Sequence, residues 1–222
     1  MLELQRLRSD HAAAVLAFEV ANRAYFAASV SDRGDEFFEQ FPERHRALLT
    51  EQDAGMCVFH VLLDRDGAVV GRFNLYNLED GTADVGYRVA EQVAGGGVAT
   101  STLRKLCGLA AEQYGLRTLK AKTSNENVAS ERVLQKAGFV PVGPTDVAGR
   151  PGTLYECALD RRLAHLAPDS LPSVPLQAKV PQYFVAELAS NRCTMKRWVG
   201  LAASKNLRLR SVVCRWHPWR GT

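Results

Sequence analysis

The stretch EQVAGGGVAT, residues 91–100, places three consecutive glycines between a strand-like run and a helix-like run. Consecutive glycines allow the backbone to turn sharply, or to approach a ligand where a Cβ would stand in the way. The run that follows has helical spacing and ends at Gly115, a typical helix-terminating glycine. The first N–H groups of a helix have no partners within it, and the helix dipole favours an anion there. The stretch therefore predicts a loop that binds a phosphate or diphosphate; a tight turn required only for packing is the alternative.

Two nucleotide-binding motifs are excluded by what surrounds the glycines. A dinucleotide fingerprint needs a third glycine, where this chain has Thr100, and an acid about 20 residues further on, where it reads RTLK. The phosphate loop of NTPases needs a lysine after its glycines, and none follows here. The diphosphate of a different cofactor remains.

The rest of the chain surrounds this loop with a regular order of elements. Before it, the sequence predicts a helix over residues 9–27, a second over 33–52 that is bent or divided at Pro42, and three antiparallel strands within 55–90. After it, the pattern predicts a helix over 98–115, a strand over 116–124, a helix over 125–139 and two strands within 140–160. This order indicates an α/β domain with a mixed sheet over residues 1–160.

Residues 161–222 differ from this domain in composition. They carry 11 basic and 2 acidic side chains, whereas residues 1–160 carry 17 basic and 22 acidic ones. Four prolines within residues 166–185 disfavour regular structure, so we expect a disordered or non-native tail. A tail that binds RNA or the ribosome is the alternative, because the segment is basic and contains all three tryptophans of the chain. Nucleic-acid binding is not expected elsewhere.

Composition and cysteine usage limit the class of protein further. The 222 residues are 46% hydrophobic and 23% charged, which is typical of soluble globular proteins. No apolar run approaches the roughly 18–20 residues that span a bilayer, and the N-terminus lacks a signal-peptide core. The five cysteines form no C-x-x-C pair and no zinc-ligand spacing, which predicts reduced thiols and no metal site. We expect a cytoplasmic monomer or homodimer.

Three separate stretches resemble one enzyme family. Residues 92–97, QVAGGG, match the Q/R-x-x-G-x-G/A signature of the GNAT N-acetyltransferases, in which it holds the pyrophosphate of acetyl-CoA. Residues 83–100 resemble the family's fourth strand, loop and third helix, and residues 122–143 resemble its fifth strand, fourth helix and sixth strand. Residues 20–38 are similar to the subgroup that acetylates the N-terminal alanine of ribosomal proteins.

The resemblance implies a fold, a cofactor and a reaction. The fold would be a GNAT fold, a mixed and mostly antiparallel sheet splayed between strands 4 and 5 and flanked by about four helices. The reaction would be direct acetyl transfer from acetyl-CoA to a primary amine, foremost a protein N-terminus. A small amine or antibiotic is the alternative acceptor, and a non-catalytic acyl-CoA-binding module is the alternative class. The cofactor contacts it implies are Val89, Gln92, Val93, Ala94, Gly95, Gly96, Gly97, Val98, Ala99, Thr100, Asn125, Asn127, Ser130 and Arg132.

The same resemblance points to two catalytic side chains. Asp84 occupies the position of the family's strand carboxylate, which would accept the proton of the amine, here through a water molecule; an exposed strand carboxylate without a role is the alternative. Leu134 occupies the position of the family's proton-donating tyrosine, so the chain departs from that pattern. Ser130, one helical turn earlier, is the substitute we expect. The N–H of Val89 would stabilise the oxyanion.

Overall fold

Residues 1–159 are described by the computed structural model, and they form one seven-stranded sheet with helices packed against both faces. The strands are β1 Glu3–Arg6, β2 Val58–Leu63, β3 Val69–Glu79, β4 Thr82–Val89, β5 Thr118–Ser124, β6 Val140–Val147 and β7 Arg150–Ala158. The helices are α1 Ala12–Ala21, α2 Arg23–Ala27, α3 Asp35–Glu39, α4 Phe41–Asp53, α5 Val98–Glu112 and α6 Val128–Lys136. The predicted tail, residues 161–222, lies outside the described residues.

The strand order is β1-β2-β3-β4-β5-β7-β6, and only the β4–β5 pair is parallel. The parallel pair needs a crossover, which α5 provides because it connects the end of β4 to the start of β5. The predicted mixed and mostly antiparallel sheet is therefore confirmed.

Alternation along the strands separates two hydrophobic cores. On β2, Phe59 and Val61 belong to the core under α1, α2 and α4, whereas Val58 and Leu62 belong to the core under α5 and α6. Phe18 and Phe41 bring α1 and α4 onto the first face, and their side chains are almost fully buried. We call the side of the sheet that α1, α2 and α4 cover the α1 face, and the side that α5 and α6 cover the α5 face.

Two local features differ from the predicted elements, and a third agrees with its prediction. The short edge strand β1 was not predicted, because it has only four residues, two of them charged. The predicted helix over 9–27 is interrupted at Asn22, which separates α1 from α2. Pro42 divides the second predicted helix as expected and lies in the first turn of α4, where a missing N–H costs nothing.

Candidate active site

The sheet opens between β4 and β5. These strands pair only from Thr82 to Asp84 on β4, although β4 continues to Val89 and β5 to Ser124. The N–H of Ala90 donates to Val70 on β3, so the alternating N–H groups of Val89 and Tyr87 point to the opposite side, toward the opening. The resulting gap exposes backbone donors along its edge, and Val89, the last residue of β4, lies at the end away from the parallel ladder.

The glycine loop follows directly from this open edge. A single 3₁₀ turn over Glu91–Val93 leads into the glycines, and α5 begins at Val98. Gly95 and Gly97 have φ of +78° and +77°, a conformation that strains residues with a Cβ. An added Cβ would meet no atom within 4 Å at either position, so the turn, and not crowding, requires glycine there.

The N–H groups at the start of α5 are free to bind an anion. Within residues 1–159, the first N–H of this region to donate to the backbone is that of Ser101, which bonds to the carbonyl of Gly97. The N–H groups of residues 96–100 precede it, at the positive end of a 15-residue helix. Gln92, Ala94 and the three glycines are exposed, so a ligand can reach them. This cradle fits a diphosphate such as that of acetyl-CoA.

Asp84 lies at the point where β4 leaves β5. Its Cα is paired with Lys120 at the last position of the parallel ladder, and its side chain is half-buried. The Nδ2 of Asn77 donates to Asp84 Oδ2 at 2.6 Å, while Oδ1 accepts no hydrogen bond from the described residues. Tyr76, its partner on β3, has its phenol pKa raised to about 12 by burial and by the Asp84 charge. One carboxylate oxygen thus remains available for a proton.

Ser130 has a partner that the sequence analysis missed. Its Oγ lies 3.0 Å from the phenol oxygen of Tyr87, and its N–H is capped by the Oδ1 of Asn127. Burial raises the pKa of Tyr87 to about 12, and the ring stacks on Phe73. The strict alternation of β4 places Tyr87 opposite to Asp84, on the α5 face. The two predicted catalytic positions therefore approach the open edge from opposite faces of the sheet.

The remaining predicted contacts of α6 separate into different roles. Leu134, at the family's tyrosine position, is fully buried in the core. Asn127 caps α6, whereas the Oδ1 of Asn125 accepts a hydrogen bond from Thr153 on β7. Arg132 is exposed on the helix surface. Ser130, through its hydrogen bond to Tyr87, thus connects α6 to β4.

A buried ion cluster on the α1 face was also missed. Glu19 of α1 is 2% exposed, and its Oε1 accepts hydrogen bonds from Arg72 at 2.8 Å and Arg33 at 3.3 Å. Its Oε2 accepts from Arg88 at 3.3 Å. We call Arg33, Arg72 and Arg88 around Glu19 the arginine cluster. The sequence offered no signal for it, because its members come from α1, the loop before α3, β3 and β4.

Asn22 connects the α1 face to the glycine loop. Its Nδ2 donates to the carbonyl of Phe18 at the end of α1, and its Oδ1 accepts the N–H of Glu91 at 2.9 Å. The interruption of the predicted first helix therefore has a structural purpose, since it ties α1 to the start of the loop.

His60 has a structural environment. It is 2% exposed, and its ring nitrogens lie 3.1 Å from the Phe73 carbonyl and 2.9 Å from the Tyr114 hydroxyl. Burial lowers its pKa to about 4. In the described part of the chain, no cluster of His, Cys, Asp or Glu could hold a metal ion. None of the helices in residues 1–159 is long and apolar enough to cross a membrane.

Comparison with known proteins relates this chain to an enzyme family. A family model described as the acetyltransferase (GNAT) domain matches residues 1–140. A probable N-acetyltransferase of Bacillus subtilis, YjcK, is 26% identical over 132 residues, which cover 56% of this chain and 72% of that protein.

Solved structures share the fold. A ribosomal-protein-S5-alanine acetyltransferase of Vibrio fischeri superposes with a TM-score of 0.67 at 19% identity, over 72% of this chain and 93% of that one. RimJ of Mycobacterium smegmatis, in complex with CoA-disulfide, superposes with a TM-score of 0.64 at 23% identity, over 71% of this chain and 81% of that one.

Proposed function

Because the chain belongs to the GNAT acetyltransferase family, we propose that it transfers an acetyl group from acetyl-CoA to the α-amine of a protein N-terminus. One observation supports acetyl-CoA as the cofactor: the free N–H groups at the start of α5 lie directly beyond the open edge of β4. The choice of a protein N-terminus as acceptor rests on the fold that this chain shares with a ribosomal-protein acetyltransferase. We also propose a cytoplasmic location, in which the thiols of Cys57, Cys107 and Cys157 would stay free.

The glycine loop and α5 would hold the diphosphate. Gly95 and Gly97 let the main chain approach it, and the N–H groups of residues 96–100 donate to its oxygens. Val93, Val98 and Ala99 extend this surface, with Gln92 and Ala94 exposed beside it. The cofactor supplies a thioester whose carbonyl carbon an unprotonated amine can attack.

Asp84 would take up the proton of the amine. Its free Oδ1 lies at the narrow end of the gap, on the α1 face, and a water molecule would connect it to the amine. The N–H groups of Tyr87 and Val89 point into the gap and can stabilise negative charge on a carbonyl oxygen. Base and oxyanion donors thereby come from one strand.

Ser130 and Tyr87 would stabilise the departing thiolate by hydrogen bonds on the other face, and solvent would supply the proton that the thiolate takes up. Tyr87 stays protonated at neutral pH, because burial raises its pKa to about 12. Its O–H can donate to Ser130 Oγ while Ser130 donates to a departing thiolate. The pair substitutes for the tyrosine that Leu134 replaces.

An Asp84→Asn variant tests this function. Removing a general base costs about 10²- to 10⁴-fold in rate, so we expect kcat to fall by that factor while the Kd of acetyl-CoA is unchanged. Asp66→Asn, in the exposed β2–β3 turn, is the matched control and retains full activity. Unchanged turnover in Asp84→Asn would remove Asp84 from the mechanism. Absence of turnover in the wild type against a broad amine panel, with acetyl-CoA still bound, would favour a non-catalytic binding module.

A further inference from the structure

The arginine cluster carries more positive than negative charge. Three guanidinium groups share the single carboxylate of Glu19, and the Nε of Arg72 is buried without a hydrogen-bond partner among the described residues. Uncompensated charge in a buried site is unfavourable. Consistent with this, burial together with the charges of Arg88 and Arg72 lowers the pKa of Arg33 to about 9, despite Glu19. The site is therefore suited to a second anion.

Two members of the cluster can be reached from outside. The side chains of Arg33 and Arg88 are 17% and 20% exposed, compared with 5% for Arg72. Between them lies a cavity of about 10 Å³, which holds about one water molecule. An anion would consequently bind at its mouth, to the outer N–H groups of Arg33 and Arg88.

Aromatic rings hold these two guanidinium groups in place. Arg88 lies over the ring of Phe26 at 5.1 Å, and Arg33 lies over the ring of Phe37 at 4.4 Å. Such stacking leaves the edge of a guanidinium group, with its N–H donors, available to a carboxylate. Arg23, which lines the same cavity, is instead held by Asp32 and Asp35 at 2.6 Å each.

Arg88 and Asp84 lie on the same face of β4. They are four residues apart, a separation of about 13 Å in a strand. Gly86 between them has no side chain, and the ring of Tyr76 covers it. An extended acceptor whose amine lies at Asp84 would bring the side chain of its third or fourth residue within reach of Arg88, because its backbone advances about 3.3 Å per residue and the two side chains span the remaining distance.

We propose that Arg33 and Arg88 bind a carboxylate on the acceptor, so that the enzyme prefers N-terminal segments with Asp or Glu at the third or fourth residue. This inference rests on the proposed function and assigns its substrate class. Glu19 positions the two arginines, and the charge that it leaves unmatched selects the acidic acceptor.

Paired acceptor peptides test the proposal. The peptides begin with Ala, end in an amide and carry either Glu or Gln at residue 2, 3 or 4, so that the side chain is the only carboxylate. We expect kcat/KM at residue 3 or 4 to be about tenfold higher for Glu than for Gln, because charge-assisted hydrogen bonds discriminate by about that factor. The ratio falls toward one in Arg33→Gln/Arg88→Gln. It is retained in Arg65→Gln, whose residue is 83% exposed in the β2–β3 turn.

Arg33→Lys/Arg88→Lys keeps the charges but removes the planar donor pairs, and we expect an intermediate ratio. Circular dichroism establishes that each variant is folded. Equal kcat/KM for the Glu and Gln peptides in the wild type, or an unchanged preference in Arg33→Gln/Arg88→Gln, would overturn the proposal.

A binding measurement separates this inference from the proposed function. Calorimetry with the N-acetylated Glu and Gln peptides requires no turnover. Tighter binding of the acetylated Glu peptide, lost in Arg33→Gln/Arg88→Gln, supports the anion site even if no amine is acetylated, in which case the proposed function alone fails. Acetylation of both peptides without any difference in rate or binding refutes the anion site alone.

Discussion

The phenol oxygen of Tyr87 lies 3.0 Å from the Oγ of Ser130 and joins β4 to α6. Tyr87 comes from the strand that borders the gap, and Ser130 comes from the first turn of the helix that follows β5. A pair of hydroxyl groups on the α5 face therefore connects the strand on one side of the gap to the helix that follows the strand on the other side.

Tyr87→Phe should lower kcat about tenfold. The loss is modest because a thiol of ordinary pKa, near 8.5, is a tolerable leaving group without an acid. Ser130→Ala should have a similar effect, and the double variant should be little worse than either, since the two hydroxyls act as one unit. Tyr114→Phe, which removes a half-buried hydroxyl bonded to His60, serves as the control with unchanged kcat. A Tyr87→Phe variant with wild-type kcat would exclude the hydroxyl pair.

Gly97→Ala should weaken acetyl-CoA binding and destabilise the fold. A left-handed backbone at φ +77° costs a residue with a Cβ about 1–2 kcal/mol, and relief of that strain would displace the free N–H groups. Gly108→Ala, inside α5 with no atom within 4 Å of the added Cβ, should instead stabilise the protein by about 0.5–1 kcal/mol. Urea denaturation and calorimetric titration of CoA check both. Equal effects of the two substitutions would contradict the role of the loop.

Glu19→Gln should destabilise the protein by about 3–5 kcal/mol at pH 7, because it leaves the buried guanidinium group of Arg72 and the half-buried ones of Arg33 and Arg88 without their carboxylate. Burial alone would raise the pKa of Glu19, but Arg72, Arg33 and Arg88 outweigh it and hold the pKa below its usual value. The wild type therefore has this stabilisation above about pH 4.5 and loses it as the pH falls through the folded-state pKa.

Urea denaturation of both proteins at pH 7 and pH 3 measures this dependence. The difference between wild type and Glu19→Gln should shrink at pH 3. Glu43→Gln, at the exposed pair with Arg46 on α4, should change the free energy of unfolding by less than about 1 kcal/mol. A difference for Glu19→Gln that is independent of pH would show that its charge does not stabilise the cluster.

The lowered pKa of His60 predicts a second pH range in which the stability of the protein changes. Its folded-state pKa of about 4 lies below the ordinary value of 6.5, so the unfolded chain takes up a proton first as the pH falls. Stability from this residue is complete above pH 6.5 and declines between pH 6.5 and 4, by at most about 3 kcal/mol. Its imidazole NMR resonances should not titrate between pH 8 and 5. Titration near pH 6.5 would mean that His60 is exposed to water in the folded protein.

The sequence specified the fold because its main signals are local. Glycines at residues 95–97 and the helical spacing after Val98 predict the loop and α5 without any tertiary information, and Asp66-Gly67 predicts the β2–β3 turn. The strand β1 was not predicted because its four residues are too few to show a clear alternation of apolar and polar side chains. The break of the first helix at Asn22 was not predicted because one of the two hydrogen-bond partners of this residue, Glu91, is 69 residues away.

Only those residues of the candidate site that occupy positions in a sequence motif were predicted. Asp84 and Ser130 were proposed from their motif positions, but the neighbours that define their chemistry were not visible. Asn77 reaches Asp84 from the end of β3, and Tyr87 reaches Ser130 across 43 residues. The arginine cluster joins residues of four segments around Glu19, and no pattern along the chain encodes such a convergence.

The most direct test of the proposed function is the mass of an acceptor peptide after incubation with the protein and acetyl-CoA. The peptide starts with Ala, has Glu at its fourth residue and contains one internal lysine; a second peptide is identical but has a blocked N-terminus. We predict that the first peptide gains one acetyl group on its α-amine and the blocked peptide gains none. Acetylation of the blocked peptide at lysine, or of neither peptide under conditions in which acetyl-CoA binds, would contradict N-terminal acetylation.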